Sequence, residues 1–203
     1  MGEAILSFLL GLGLSAAVGF RVFVPLLLVS LASMAGWITL SPDFQWMGTP
    51  LAALVFGVAT LIELLGFLIP WVSNALDGLA TPAATIAGVI MMAAVLTEMH
   101  PLLRWTLAVI AGGGVALTVQ GATVITRAVA AGTTGGVANP IVAILEAIGA
   151  LVVTLTTLIL PVIMGLLVLI AALLLLRVVI PKFRAIRAGR KAENKTSHSE
   201  ASH

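Results

Sequence analysis

The stretch L-I-E-L-L-G, residues 61–66, places a glutamate inside an apolar run, and no other charged residue lies between Leu51 and Ile69. A second run, I-L-E-A-I-G at residues 144–149, repeats the pattern, with glycine again three places after the glutamate. A charge near the bilayer centre costs about 2.5–3.5 kcal/mol on insertion scales, so such residues normally face the protein interior and pair there. The two runs therefore predict buried acids, Glu63 and Glu146, in a bundle of apolar helices.

The composition is that of an integral membrane protein. Of the 203 residues, 61% are hydrophobic and 9% are charged, whereas soluble domains carry about 25% charged residues. The mean hydropathy is +1.21, and several apolar runs have membrane-spanning length. These runs are continuous rather than alternating, which favours helices over a transmembrane β-barrel. The fold class predicted is all-α, a polytopic membrane protein.

Six apolar spans can be drawn along the chain. The run from 141 to 180 would make a helix about 60 Å long, twice the hydrocarbon core of a bilayer, so we expect a reversal near Thr154–Pro161. The fifth span is then short enough to be re-entrant. A kink or break is expected between Gly19 and Pro25, and a polar connection at 73–82. The spans are 5–34, 51–72, 83–97, 102–131, 141–155 and 162–179, within a transmembrane domain of residues 1–181.

Small residues recur at helical spacing in two of these spans. Such residues let helix backbones approach closely in a membrane. The stripes therefore predict packing faces; they are Gly11, Ser15 and Gly19 in the first span, and Ala108, Gly112 and Ala116 in the fourth.

The spans group into two similar halves, about 4–98 and 102–180. Each half has a long glycine-bearing span with an arginine, then a Thr-Pro or Asn-Pro start, then the Glu-x-x-Gly pattern. Three spans per half would insert the halves in opposite orientations, which is the inverted-repeat plan of many secondary transporters. Glu63 follows Pro50 by thirteen residues and Glu146 follows Pro140 by six, a difference of about two helical turns. The alternative is that apolar spans resemble one another by composition alone.

The strongest candidate site residues are Arg21, Glu63, Arg127 and Glu146. Two arginines and two glutamates can neutralise one another, and we expect them at a midplane site between the halves, where a glutamate binds a proton or cation. The alternatives are ion pairs that only hold helices together, which contribute little net stability, or side chains that snorkel to an interface.

Polar residues near these charges are secondary candidates. Gln120 and Asn139 extend the predicted site, and Asp77 is a weaker candidate in a connection. Asn139 before Pro140 is also interpreted as a helix cap. Thr123 and Thr126 are interpreted as partners in hydrogen bonds between helices.

Several classes of function are disfavoured. The G-T-T-G-G loop lacks the Gly-Lys-Ser/Thr pattern of a nucleotide-binding P-loop. No histidine spacing supports a metal centre, no Ser–His or Ser–Lys dyad can be placed in the membrane, and the chain has no cysteine. We therefore expect no enzyme activity, no cofactor and no metal.

Basic residues concentrate at the C-terminal end. Seven of the ten lie between Arg177 and Lys195, which by the positive-inside rule is a cytoplasmic end. With six spans both termini are then cytoplasmic. Residues 182–203 are predicted to be a disordered tail that is drawn to anionic lipid head groups. No aromatic residues accompany the charge, so nucleic-acid binding is not expected.

Several strings together resemble a bacterial integral membrane protein family catalogued as domain of unknown function 4126. They are G-L-G-L-S-A-A-V-G-F-R-V-F-V-P at 11–25, I-E-L-L-G-F-L-I-P-W-V-S-N-A-L-D at 62–77, T-R at 126–127 and T-G-G-V-A-N-P at 134–140. In that family each glutamate is often followed closely by an aspartate. Here the corresponding places hold Phe67 and Ala147, so the resemblance does not imply a divalent-cation site of paired acids. It implies a bacterial inner-membrane protein and supplies no function.

The sequence thus favours a small transporter or channel for an ion or small solute, with Glu63 and Glu146 as proton- or cation-sensing groups and Arg21 and Arg127 as counter-charges. The alternative is a non-transporting scaffold or accessory subunit of a membrane complex, with static Arg–Glu pairs. Membrane lipids are the expected partners in both cases, and a homo-oligomer fits either.

Overall fold

The computed structural model describes the backbone of residues 2–135, 137–174 and 177, and within these the side chains of all but residues 68, 70–75 and 77. The described chain is helical. Its elements are α1 (Gly2–Phe20), α2 (Phe23–Met34), a 3₁₀ helix (Pro42–Gly48), α3 (Pro50–Leu68), α4 (Pro70–Val95), α5 (Pro101–Leu107), a π-helical turn (Ala108–Gly113), α6 (Gly114–Thr134), α7 (Asn139–Ile159) and α8 (Pro161–Leu174).

Five of the described segments are long and apolar enough to cross a membrane: Gly2–Phe20, Pro50–Phe67, Gly78–Val95, Pro101–Thr134 and Asn139–Ile159. The fourth is continuous through α5, the π-helical turn and α6. This is the helical architecture that the composition predicted.

Helix α1 lies at the centre of the packing. Leu14 and Val18 have no exposed surface, and α4, α6 and α7 all pack against α1. The small residues form these contacts as predicted. The Ser15 hydroxyl donates to the Gly88 carbonyl of α4 at 3.0 Å, and Gly19 meets Val119 of α6.

A close crossing joins α4 to the π-helical turn. A Cβ added to Gly88 would lie 2.4 Å from the Ala116 Cβ and 2.7 Å from the Gly112 carbonyl oxygen. Glycine is required here because any side chain would push the two backbones apart.

The predicted break between Gly19 and Pro25 is confirmed, since α1 ends at Phe20 and α2 begins at Phe23. Helix α2 then runs back towards the end where α1 begins. The Ser30 hydroxyl donates to Met47 at 2.5 Å, and the backbone N–H of Ser41 donates to Ala94 at 2.7 Å. Ala94 lies in the stretch of α4 that packs against Gly11.

The polar connection predicted at 73–82 is wrong, because these residues are helical within α4 and even Pro82 lies inside the helix. The chain instead interrupts its helices at single residues, Ile69 and Leu160, each directly before a proline. Steric conflict with the proline ring disfavours the helical conformation at the preceding residue. Proline itself is well placed in a first helical turn, where its missing N–H would lack a partner in any case.

The prediction of a short, re-entrant fifth span is also wrong. Helix α7 has 21 residues, or about 30 Å, and is long enough to cross a membrane. The expected reversal at Thr154–Pro161 is not seen. Three pairs of residues lie close together in space: Gly149 with Phe20, Thr157 with Gly13, and Gly165 with Leu9. The segment therefore continues along α1 in one direction past the interruption. Thr154 and Thr157 do not break α7 because their hydroxyls donate to carbonyls of their own helix, both at 2.6 Å.

The three-plus-three inverted repeat is not confirmed. Ser15 approaches Gly112, and four residues later Gly19 approaches Ala116 and Val119. The helices that begin the two halves therefore run parallel, whereas an inverted repeat would make them antiparallel. The basic tail, 182–203, lies outside the described residues.

Candidate functional site

The interruption between α1 and α2 places Arg21 inside the protein, with 1% of its side chain exposed. Its Nη2 donates to the backbone carbonyl of Ala143 at 3.0 Å and lies 3.1 Å from a carboxylate oxygen of Glu146. Both partners belong to α7. A residue that follows the last turn of α1 thus connects the central helix to a distant part of the chain.

Arg127 of α6 binds the same carboxylate. Its Nε lies 2.9 Å and 3.1 Å from the two Glu146 oxygens, and its Nη2 also donates to Glu146. The side chains of Arg127 and Glu146 are 3% and 6% exposed. One acid therefore receives two guanidinium groups, and these three residues are called the ion triad below.

Glu63 is bound differently. Its two oxygens accept the backbone N–H groups of Val22 at 2.9 Å and Phe23 at 3.1 Å. These groups lie at the start of α2, where free N–H donors and the helix dipole favour an anion. Among the described side chains, no basic group lies within 4 Å of the Glu63 carboxylate. Two glutamates in the same local sequence pattern thus have different environments.

Phe67 joins Glu63 to the ion triad. Its ring lies 3.9 Å from the guanidinium carbon of Arg21 and 4.3 Å from that of Arg127. Cation–π contacts of this kind are worth about 0.5–2 kcal/mol each, most when desolvated. Phe67 was not among the residues predicted for the site. It lies one helical turn after Glu63, however, and this spacing puts two side chains on the same face of a helix.

A cavity of about 340 Å³ opens beside Glu63, between the start of α2, α3 and α4. Among the described residues that line it, Glu63 is the one charged group. Its other walls are apolar, and include Phe23, Ala59, Ile62, Phe67, Leu79 and Ala83. The ion triad does not line this cavity. Glu63 is therefore the member of the cluster that a molecule inside the cavity would meet.

The cluster lies off-centre along the two helices that carry its acids. Glu63 lies thirteen residues into α3 from Pro50, or about 20 Å. Glu146 lies seven residues into α7 from Asn139, or about 10 Å. Helices α3 and α7 begin at opposite ends of the bundle, and the α3 end carries the exposed residues Trp37, Trp46 and Trp105. The charges are thus displaced towards the end where α7 begins.

The secondary candidates Gln120 and Asn139 are both buried. Gln120 shares the buried face of α6 with Arg127, and its Nε2 has no hydrogen-bond partner in the described part of the chain. Asn139 does not cap α7, because the helix includes it and the capping position belongs to Ala138. Its buried Oδ1 likewise lacks a described partner.

The threonines on α6 do not join helices. Thr123 donates to Gln120 at 2.9 Å and Thr126 donates to Ala122 at 2.9 Å, both within the same helix. Asp77 lies in α4 rather than in a connection, and its side chain lies outside the described residues.

The described residues hold no group of three or more His, Cys, Asp or Glu side chains that could bind a metal ion. What the geometry offers is one locked carboxylate, Glu146, and one carboxylate with backbone donors only, Glu63. A carboxylate of the second kind can exchange a proton or a cation without breaking a side-chain ion pair.

One family model, described as Domain of unknown function (DUF4126), matches residues 8–180. The match confirms the resemblance that the sequence motifs suggested. No curated protein and no solved structure matches the chain.

Proposed function

We propose that this chain, which belongs to the family described as Domain of unknown function (DUF4126), is a small integral membrane transporter or channel for an ion or small solute. In this proposal Glu63 is the group that binds and releases a proton or cation. Arg21, Arg127 and Glu146 form a fixed support that sets the position of Glu63 through the α1–α2 break and Phe67.

The observation that carries the proposal is the position of Glu63 at a broken membrane helix beside a cavity. In many secondary transporters, discontinuous helices place their free N-terminal N–H groups against anionic groups at the binding site. Here the N–H groups of Val22 and Phe23 hold a carboxylate that lines a cavity of about 340 Å³. This geometry supports an exchange site because a charge in a membrane segment marks a pathway more often than a fold requirement.

The ion triad has the complementary property. Glu146 is 6% exposed and is bound by two arginines, so removing its charge would leave two buried cations facing a neutral group. We therefore assign the exchange to Glu63 and a positioning role to Glu146, although their shared sequence pattern predicted the same role for both.

The test is a flux measurement on the full chain in proteoliposomes. A pH-sensitive dye inside the vesicles reports proton entry driven by an imposed membrane potential. We expect flux above that of protein-free vesicles, its loss in Glu63→Gln, and its retention in Glu98→Gln, which removes an exposed acid in the loop before α5. Unchanged flux in Glu63→Gln would remove this residue from the mechanism.

A scaffold or accessory subunit is the second candidate function. The observation that favours it is the ion triad itself, since buried ion pairs can fix helix packing without needing to move. Under this hypothesis the triad holds α1, α6 and α7 together, and the protein carries no flux. Co-purification of a stoichiometric membrane partner would favour it, whereas Glu63-dependent flux would exclude it.

The remaining proposals concern the setting of the protein. We propose the bacterial cytoplasmic membrane as its location, with both termini in the cytoplasm, because basic residues concentrate at the C-terminal end. We propose no enzymatic activity and no cofactor. Lipids are the proposed partners, and self-association is compatible with either function.

A further inference from the structure

We infer that the cavity beside Glu63 is a binding site for a small organic ammonium compound with an apolar body. The ammonium group would lie against the Glu63 carboxylate, and the apolar body would fill the space between α3 and α4. This inference rests on the proposed function, since it names the substrate class of the same site.

The charge of the described cavity wall selects a cation. Glu63 is the one charged residue among the described lining residues. Each of its oxygens accepts one N–H, from Val22 and from Phe23, and a carboxylate oxygen can accept a second hydrogen bond. The cavity can therefore pair an N⁺–H donor with Glu63 while both bonds to α2 stay in place. A carboxylate ligand would face the Glu63 carboxylate and be repelled.

The chemistry of the other described wall residues disfavours a small inorganic cation. Ions such as Ca²⁺ and Mg²⁺ need about six oxygen ligands or retained waters. The other described lining residues are Val22, Phe23, Ala59, Ile62, Phe67, Leu76, Leu79, Ala80 and Ala83, and none has a side-chain oxygen. Such a wall cannot replace a hydration shell, but it favours a ligand that brings its own apolar surface.

The size of the cavity limits the ligand to a small molecule. A volume of about 340 Å³ lies at the low end of the range for small-molecule sites, about 300–1,000 Å³. A primary amine on a single aromatic ring, such as 2-phenylethylamine, is a suitable probe. The matched anion is 3-phenylpropionate, which has the same ring and chain length with the opposite charge.

Binding is measured on the full chain in lipid nanodiscs, with empty nanodiscs subtracted because the amine partitions into lipid. We expect saturable binding of 2-phenylethylamine, and no saturable binding of 3-phenylpropionate or Na⁺. Glu63→Gln should weaken amine binding at least tenfold, and Ala59→Phe, which fills the cavity and keeps the acid, should do the same. The controls Glu98→Gln and Ala122→Phe, both at exposed positions, should stay within twofold.

A second measurement does not depend on removing the acid. The chain has no cysteine, so Ala83→Cys creates a single thiol on the cavity wall. We expect 2-phenylethylamine to slow its alkylation by a maleimide several-fold, and 3-phenylpropionate to leave the rate unchanged.

The outcomes separate this inference from the proposed function. Amine binding that survives both Glu63→Gln and Ala59→Phe, or equal protection by amine and carboxylate, would overturn the inference even if Glu63-dependent flux is found. The absence of saturable amine binding would overturn it as well. Specific amine binding without flux would leave the site intact and remove transport as the function.

Discussion

Arg21 and Glu146 form an ion pair of 3.1 Å between the break that follows α1 and the first half of α7. Arg127 binds the same carboxylate from α6. The break after α1, helix α6 and helix α7 thus meet at one acid, and none of the three side chains is more than 6% exposed. Substitution of Glu146 should therefore affect folding more than substitution of Glu63.

Glu146→Gln should destabilise the protein by about 3–5 kcal/mol, because breaking a buried ion pair from one side leaves an uncompensated charge. Glu63→Gln should cost less, since its partners are backbone N–H groups that an amide oxygen can still satisfy. Unfolding by sodium dodecyl sulfate in mixed micelles, followed by circular dichroism, measures both. Glu98→Gln is the control for the loss of a charge. Equal losses of stability in Glu146→Gln and Glu63→Gln would contradict the different roles assigned to the two glutamates.

Phe67→Leu should destabilise the protein by about 1–3 kcal/mol. The change keeps an apolar side chain but removes two cation–π contacts, to Arg21 and Arg127, each worth about 0.5–2 kcal/mol. The matched control is Phe56→Leu. It removes an aromatic contact with Trp46, but no described arginine stacks on Phe56. The same unfolding assay measures the difference, and a smaller loss for Phe67 than for Phe56 would show that the stacking on the arginines contributes nothing.

Gly88→Ala should destabilise the crossing of α4 and the π-helical turn by about 1–3 kcal/mol, the usual cost of overpacking. The added methyl would lie 2.7 Å from the Gly112 carbonyl oxygen, and backbone cannot yield as a flexible side chain can. Gly114→Ala is the control, since nothing lies within 4 Å of its added Cβ and alanine favours helix by up to about 1 kcal/mol. Similar changes in stability for Gly88→Ala and Gly114→Ala would show that α4 and the π-helical turn do not approach each other this closely.

Gly13→Ala should be rescued by Thr157→Ala. A Cβ on Gly13 would meet the Thr157 hydroxyl at 2.5 Å, so the single change forces α1 and α7 apart and the second change restores the space. A double-mutant cycle should give a coupling of about 0.5–3 kcal/mol, as expected for residues in contact. Additive effects would show that α7 does not run along α1 in the register described.

Trp46 and Val137 should be reached from opposite sides of the membrane, because they lie at the ends where α3 and α7 begin. In Trp46→Cys and Val137→Cys the introduced thiol is the only one in the chain. An impermeant maleimide added to intact cells should label Val137→Cys, and should label Trp46→Cys only after lysis, if the end where α1 begins is cytoplasmic. Labelling of both in intact cells would refute the opposite placement, and the reverse pattern would refute the cytoplasmic assignment.

The sequence by itself determined the helical membrane architecture, the break near Arg21 and the small-residue faces of α1 and α6. These follow from local properties: apolar runs of spanning length, a charge beside glycine and proline, and glycine, serine and alanine at helical spacing. The motifs at 11–25 and 62–77 also led to the family.

Tertiary structure alone decided how the charges are paired. Glu63 and Glu146 have the same local pattern, so sequence assigned them one role, but the acid that receives two guanidinium groups depends on which helices meet. It also decided that α8 continues beside α1 and that α4 forms through residues 73–82. Proline and polar residues indicate where a helix can be interrupted, whereas the neighbouring helices decide whether the chain turns there.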